Sequence, residues 1–255
     1  MSPAAEHATD ATSRRSPLVT LGNFLFRQRN NVFPVVFLAI VFLDAPRYPW
    51  GSVGLDRALD AVGIGIAVLG QALRAAVIGL AYIQRGGRHG RVYAEDLVTD
   101  GVFAHSRNPL YVGNIMVFVG LFVVLNSYLG WALGIPAVLL AYWALVLAEE
   151  DFLRRKFGAP YEAYCRDVNR FLPALAGLGT TMSSMRFHWR RVIRKEYGST
   201  WSWMTVVIGL LFWERVAVEG FETVRSDLPA YVAAWVAATL LYATARFMKK
   251  TGRLR

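Results

Sequence analysis

The 255 residues include one cysteine, Cys165, which excludes an internal disulfide and a cysteine-based zinc site. Charge is scarce as well, at 18% of residues against roughly 25% in an average soluble domain. His89 and His105, with Glu95, Asp96 and Asp100 nearby, follow no metal-ligand spacing and read as solvated loop residues, so no metal site is expected. Behind Arg14 and Arg15 there is no apolar run of the kind a signal peptide needs, and residues 1–20 read as a disordered tail.

What the chain has is apolar length: 55% hydrophobic residues and a mean hydropathy of +0.34, beside a formal charge of +10. That composition excludes a disordered chain. Basic clusters and apolar stretches alternate along the sequence, as in a membrane protein, whereas a nucleic-acid binder gathers its basic residues on one face of a soluble fold. Nucleic acid is therefore not expected as a partner. The expected fold is all-α, a polytopic transmembrane bundle of about six spans near 31–48, 59–83, 110–126, 128–148, 201–218 and 229–247. Asn126-Ser127 joins spans three and four so tightly that they form a helical hairpin. Residues 1–20 are then a tail, 21–173 the core, 174–200 a basic amphipathic surface segment, and 201–255 a C-terminal helical pair.

Arginine and lysine set the orientation. Four lie on the N-terminal flank, four in the loop after span two, ten in the segment after span four and five at the C-terminus, so 23 of the 28 mark one face. Only Arg47, Arg57, Arg215 and Arg225 fall opposite, with Arg74 inside span two. Both termini are expected in the cytoplasm, and the preponderance of arginine and alanine suggests a bacterial inner membrane.

Polar residues beyond simple flanking charge concentrate in two segments on that face. In the first, Asn108-Pro109 opens span three as N-cap and first-turn residue, and free helix-start donors beside Arg107 make a corner suited to an anion. An ordinary capped helix with a snorkelling arginine is the plainer reading. The second holds Glu149, Glu150 and Asp151 at the end of span four; adjacent helical residues diverge by about 100°, so the two glutamates cannot share a direction. A solvated helix end paired with Arg154 and Arg155 is the plainer reading here. Arg74 lies within span two on the same face as Gln71, where a charge turns to a partner or a cavity, and Glu149 or Glu150 is the expected partner.

Taken in order, these motifs resemble the integral-membrane methyltransferases that include isoprenylcysteine carboxyl methyltransferases and phospholipid N-methyltransferases. The resemblance rests on Leu97-Val98-Thr99-Asp100-Gly101-Val102-Phe103, Arg107-Asn108-Pro109-Leu110-Tyr111-Val112-Gly113, Glu149-Glu150-Asp151-Phe152-Leu153, Phe157-Gly158-Ala159-Pro160-Tyr161-Glu162-Ala163-Tyr164 and Arg170-Phe171-Leu172-Pro173, with Leu73-Arg74 in span two. It covers roughly Leu59 to Pro173. It implies methyl transfer from S-adenosylmethionine, held at the cytoplasmic side of the hairpin, to a lipid or lipophilic acceptor entering from the bilayer. Cofactor-binding positions carry over onto Leu97, Val98, Phe103, Arg107, Asn108, Pro109, Tyr111 and Glu149, with Glu150 and Arg74 as catalytic candidates. The family has Tyr where this chain has Phe103 and His where it has Asn108; Asn keeps a donor but carries no proton near neutral pH. Glu150 is the nearest group to accept a proton were the acceptor an amine. A nicotinamide-dependent sterol-reductase-like enzyme and a noncatalytic membrane protein are the other readings; the first is expected to show a His-Arg pair where Glu149-Glu150 stands.

The basic residues Arg186, Arg190, Arg191, Arg194 and Lys195, interleaved with Phe187, Trp189, Val192 and Ile193, read as a surface anchor leading to the last two spans. Cys165 reads as a buried or interfacial thiol without chemistry.

Overall fold

The computed structural model describes residues 16–81, 92 and 94–254, and all regular structure among them is helical. Helix α1 (Pro17–Leu43) starts on a proline, which suits a first turn because the missing N–H would be unpaired there anyway. Its start corrects the expected tail: Pro17 to Thr20 are helical. Pro34, inside α1, cannot donate to the carbonyl of Asn30. Helix α2 (Val53–Leu80) is capped by Ser52, whose hydroxyl accepts from the Leu55 N–H at 3.2 Å.

Helix α3 (Pro109–Val124) packs along α2 more extensively than any other helix pair packs. The sequence cause is a ladder of glycines. A Cβ on Gly63 would stand 2.7 Å from the Gly120 carbonyl, and one on Gly70 2.7 Å from the Gly113 carbonyl. Backbone therefore touches backbone at two levels, the small-residue packing that membrane helices use.

The hairpin turn follows. Asn126 takes a left-handed conformation (φ 50°), and its amide donates to Asp56 at 2.7 Å and to Glu214 at 3.2 Å. Asp44, just past α1, accepts from the Ser127 hydroxyl at 2.6 Å and the Leu129 N–H at 2.9 Å. A π-helical turn, Gly130–Gly134, runs without a break into α4 (Ile135–Phe157), so Pro136 lies inside the span, directly after the π turn.

Gly158 (φ 57°) ends α4, and α5 (Ala159–Asp167) folds back beneath it. Two short helices, α6 (Leu178–Ser184) and α8 (Phe221–Val224), flank α7 (Trp189–Glu219), and α9 (Leu228–Lys250) packs on α7. The expected surface segment at 174–200 is corrected here. Its basic half belongs to α7, which at 31 residues is about 46 Å long and can cross both the apolar slab and one headgroup layer.

Four stretches are long and apolar enough to cross a membrane: Val53–Leu80, Gly130–Phe157, Trp189–Glu219 and Phe221–Lys250. Helix α3 is a shorter apolar helix of 16 residues, and α1 carries Arg27, Gln28, Arg29, Asn30 and Asn31 at its middle. The result is a helical membrane bundle in which four of the six expected spans are both long and apolar enough to cross.

Candidate active site

A cavity of about 1360 Å³ opens over α3, between α1 and α7. Its size exceeds the roughly 300–1,000 Å³ of a typical small-molecule site. Apolar and aromatic side chains line one end: Phe37, Val41 and Phe42 of α1, Leu121 of α3, and Leu210 and Trp213 of α7. The other end is polar. Leu97, Val98, Phe103, Arg107, Asn108, Pro109, Tyr111, Glu149, Glu150 and Arg74 all line the cavity, so the structure brings the ten sequence-derived candidates to one space.

Contacts differ from expectation at two of these residues, Arg74 and Asn108, and at His105 beside them. Arg74 pairs with neither Glu149 nor Glu150. Its Nε and Nη2 donate to Glu196 of α7 at 2.7 and 2.9 Å, and Gln71 donates to the same carboxylate at 3.1 Å. The reason is packing order: α2 lies against α3 and α7, while α4 lies against α1 and α3. Asn108 does not cap α3 with its side chain, which instead donates to the Arg170 carbonyl at 3.1 Å. His105 is not solvated; it is buried, with Nδ1 2.8 Å from the Ala174 carbonyl and Nε2 2.9 Å from the Thr181 hydroxyl. His89 lies outside the described residues.

The two glutamates divide as the helical geometry requires. Glu150 is 1% exposed and sits among three guanidinium groups: Arg170 donates from Nε and Nη2 at 2.8 Å each, and Arg107 and Arg154 approach to 3.4 Å. Both its oxygens are engaged. Glu149 is partly exposed on the cavity wall, which it shares with Tyr111 and Arg29. Asp151, the third acid of the run, pairs with Arg155 at 2.5 Å.

Arg107 is the joint between these parts. Its backbone N–H donates to the Asn169 carbonyl at 2.9 Å, and its Nη1 contacts both Cys165 Sγ and Glu150. Its Nε is buried with no hydrogen-bond partner. Leaving such a donor unmade costs roughly 1–3 kcal/mol or more, so this is where an incoming acceptor atom gains most.

Tyr161 and Tyr164 of α5 close the polar end. Burial pushes both phenols well above their ordinary value, assisted at Tyr161 by the Glu150 charge and at Tyr164 opposed by Arg107, so both remain protonated donors at working pH. Tyr164 donates to the Phe103 carbonyl at 2.7 Å. Sequence reasoning missed Glu196, Arg29 and the hub role of Arg170. Glu196 carries a usable signal, as the lone acid in a basic stretch.

A profile of the phospholipid methyltransferase family matches residues 61–160. The chain is 30% identical over 193 residues to the nickel-cobalt-cadmium resistance protein NccN of Alcaligenes xylosoxydans xylosoxydans, covering 74% of this chain and 84% of that protein. It is 31% identical over 161 residues to the cobalt-zinc-cadmium resistance protein CzcN of Cupriavidus metallidurans, covering 61% and 68%. To the protein-S-isoprenylcysteine O-methyltransferase of Schizosaccharomyces pombe it is 29% identical over 118 residues, covering 44% and 48%. No solved structure matches. With the motifs gathered around one cavity, the chain belongs to the integral-membrane methyltransferase family of isoprenylcysteine carboxyl methyltransferases and phospholipid N-methyltransferases.

Proposed function

We propose that this protein transfers a methyl group from S-adenosylmethionine to a lipid or lipophilic acceptor that enters from the bilayer, in the manner of an isoprenylcysteine carboxyl methyltransferase. The observation that carries the reading is the continuous cavity, polar where the motif residues meet and apolar where α1 and α7 flank it. We place the polar end in the cytoplasm with both termini, in a bacterial inner membrane, following the arginine and lysine asymmetry.

The residues present suit the cofactor. Glu149 offers a carboxylate to an amino group, and the orphaned Nε of Arg107 offers a donor to a carboxylate. Leu97, Val98, Phe103, Pro109 and Tyr111 supply apolar and aromatic walls, with Asn108 fixed by its bond to the Arg170 carbonyl. The cofactor supplies an activated methyl on a sulfonium. The protein's share is to hold both partners in line and keep water out. Arg74, locked to Glu196, acts by positioning α7 on α2 and not as a proton carrier.

The state of Glu150 bears on the acceptor. Three arginines occupy it, which argues against the role of general base considered for it above. A carboxylate or thiolate acceptor requires no proton removal, and that favours the isoprenylcysteine-type reading. The second reading is a phospholipid amine acceptor, favoured by the match to the phospholipid methyltransferase profile. In that case Glu149, the carboxylate open to the cavity, receives the proton in place of holding the cofactor's amino group. The test is incubation of the purified protein with labelled S-adenosylmethionine and a bacterial lipid extract, followed by mass spectrometry of labelled products. Label on a lipophilic product supports the proposal; tight NADPH binding without affinity for S-adenosylmethionine overturns it.

A further inference from the structure

A second concavity, of about 380 Å³, lies at the start of α7 and takes no part in the site above. Four arginines line it, Arg186, Arg190, Arg191 and Arg194, with Phe187 and Trp189 at its rim and Leu254 at its base. Leu254, just past α9, is buried and contributes to the pocket wall. Phe187 packs over Gly79 at the end of α2, the His188 N–H donates to the Gly79 carbonyl at 2.9 Å, and Arg191 donates to the Ile78 carbonyl at 3.3 Å. The pocket is thus built against the end of a spanning helix and is not a loose tail of charge.

No acid is among the described residues that line it. Helix α7 begins without a side-chain cap and without an acid in its first turn, and three of the arginines fall in its first two turns. Cations at a helix start are unfavourable and anions favourable, because the N-terminus carries about half a positive charge. Arg194 adds a second sign, since its Nε is buried with no hydrogen-bond partner. Guanidinium forks match phosphate oxygens two at a time, which lysine cannot do. The rim favours a lipid over a free anion. Trp189 is 69% exposed and stacks edge-on against Phe187 with ring centroids 4.5 Å apart, the arrangement of an aromatic belt at headgroup depth.

We infer that this pocket binds the phosphate headgroup of an anionic phospholipid, as a site separate from the methyl-transfer cavity. The inference does not rest on the proposed reaction. An occupant pins the first turns of the helix that carries Glu196, and so holds the α2–α7 contact.

The test compares the protein in nanodiscs of phosphatidylcholine with and without phosphatidylglycerol, counting the lipid retained on gentle release by native mass spectrometry. Wild-type protein is expected to retain phosphatidylglycerol in preference to phosphatidylcholine. Each arginine near an anionic surface is worth about fivefold, so Arg190→Gln with Arg194→Gln lowers the preference about 25-fold. Arg190→Lys with Arg194→Lys is expected to fall between, losing the fork but keeping the charge. Equal thermal midpoints in pure phosphatidylcholine show that the variants fold. No preference in the wild type, or one unchanged in the glutamine variant, overturns the inference. The thermal midpoint is also read with phosphatidylglycerol in the disc and, in pure phosphatidylcholine, with inorganic phosphate added; an equal rise with inorganic phosphate overturns the lipid as the ligand.

Discussion

Replacing Glu150 by Gln and, separately, Glu149 by Gln should separate architecture from cofactor binding at two adjacent positions. Glu150 is 1% exposed and neutralises Arg107 and Arg170, whose side chains are 9% and 25% exposed. The substitution keeps the shape, removes the charge and turns an amide NH2 toward guanidinium donors. Breaking a buried pair of this kind costs about 3–5 kcal/mol, because the partner is left uncompensated. We take the lower end, since Arg154 is half in solvent and Arg170 keeps its stacking on Trp143 at 4.8 Å. At about 2–4 °C per kcal/mol for a chain of this size, the unfolding midpoint falls by roughly 6–12 °C. Glu149 faces the cavity, so Glu149→Gln changes the midpoint by less than about 2 °C. It removes a hydrogen bond to a charged group worth about 1.5–3 kcal/mol, which weakens S-adenosylmethionine binding by roughly 10- to 150-fold. Thermal unfolding in detergent and calorimetric titration read the two effects independently. Wild-type stability in Glu150→Gln, or a large stability loss with intact cofactor affinity in Glu149→Gln, would refute the division of roles.

Other expectations concern the frame. Gly113→Ala places a methyl 2.6 Å from Arg74 Cγ and 2.8 Å from the Gly70 carbonyl, and overpacking of that kind costs about 1–3 kcal/mol; Gly65→Ala, with nothing within 4 Å, should be neutral or stabilising in the same unfolding assay. Glu196→Ala strands Arg74 and should cost about 3–5 kcal/mol, with partial recovery when Arg74→Met is added; a lone Glu196→Ala of wild-type stability would sink the assignment. At Asp44 burial raises the carboxyl, but the Ser127 hydroxyl, the Leu129 N–H and Arg47 outweigh it and hold the group below its usual 3.8. A depressed folded value contributes stability that is fully present above the unfolded value and lost as pH falls through the folded one. Asp44→Asn should therefore flatten the fall of the unfolding midpoint below roughly pH 4, and an acid limb identical to wild type would count against the linkage.

Much of the frame was legible because membrane helices announce themselves by length and the motifs by order. The ten candidate residues share one cavity since the hairpin at Asn126 and the glycine ladder leave α3 few ways to lie. The Arg74 partner was not legible. A charge inside a span implies a partner but does not name it, and Glu196 lies 122 residues away on a helix outside the resemblance. Splitting the basic segment from the following span had a different cause. Its charges suggested a helix lying on the membrane, whereas the same charges suit the first turns of a crossing helix as it passes the headgroups.

The glycine contacts between α2 and α3 have a mechanical corollary. With backbone against backbone at Gly63–Gly120 and Gly70–Gly113, those two helices behave as one plank, and the residues that open α3 cannot shift without dragging α2 along. Helix α1 is pinned to α4 at Gly22, where a Cβ would strike the Ala144 carbonyl, but beyond Pro34 the helix has lost one rung of its own hydrogen bonding. Its far end is held too, since Asp44 accepts from Ser127 and Leu129 of the hairpin turn, so a guest in the groove meets a fixed floor and a wall helix anchored at both ends.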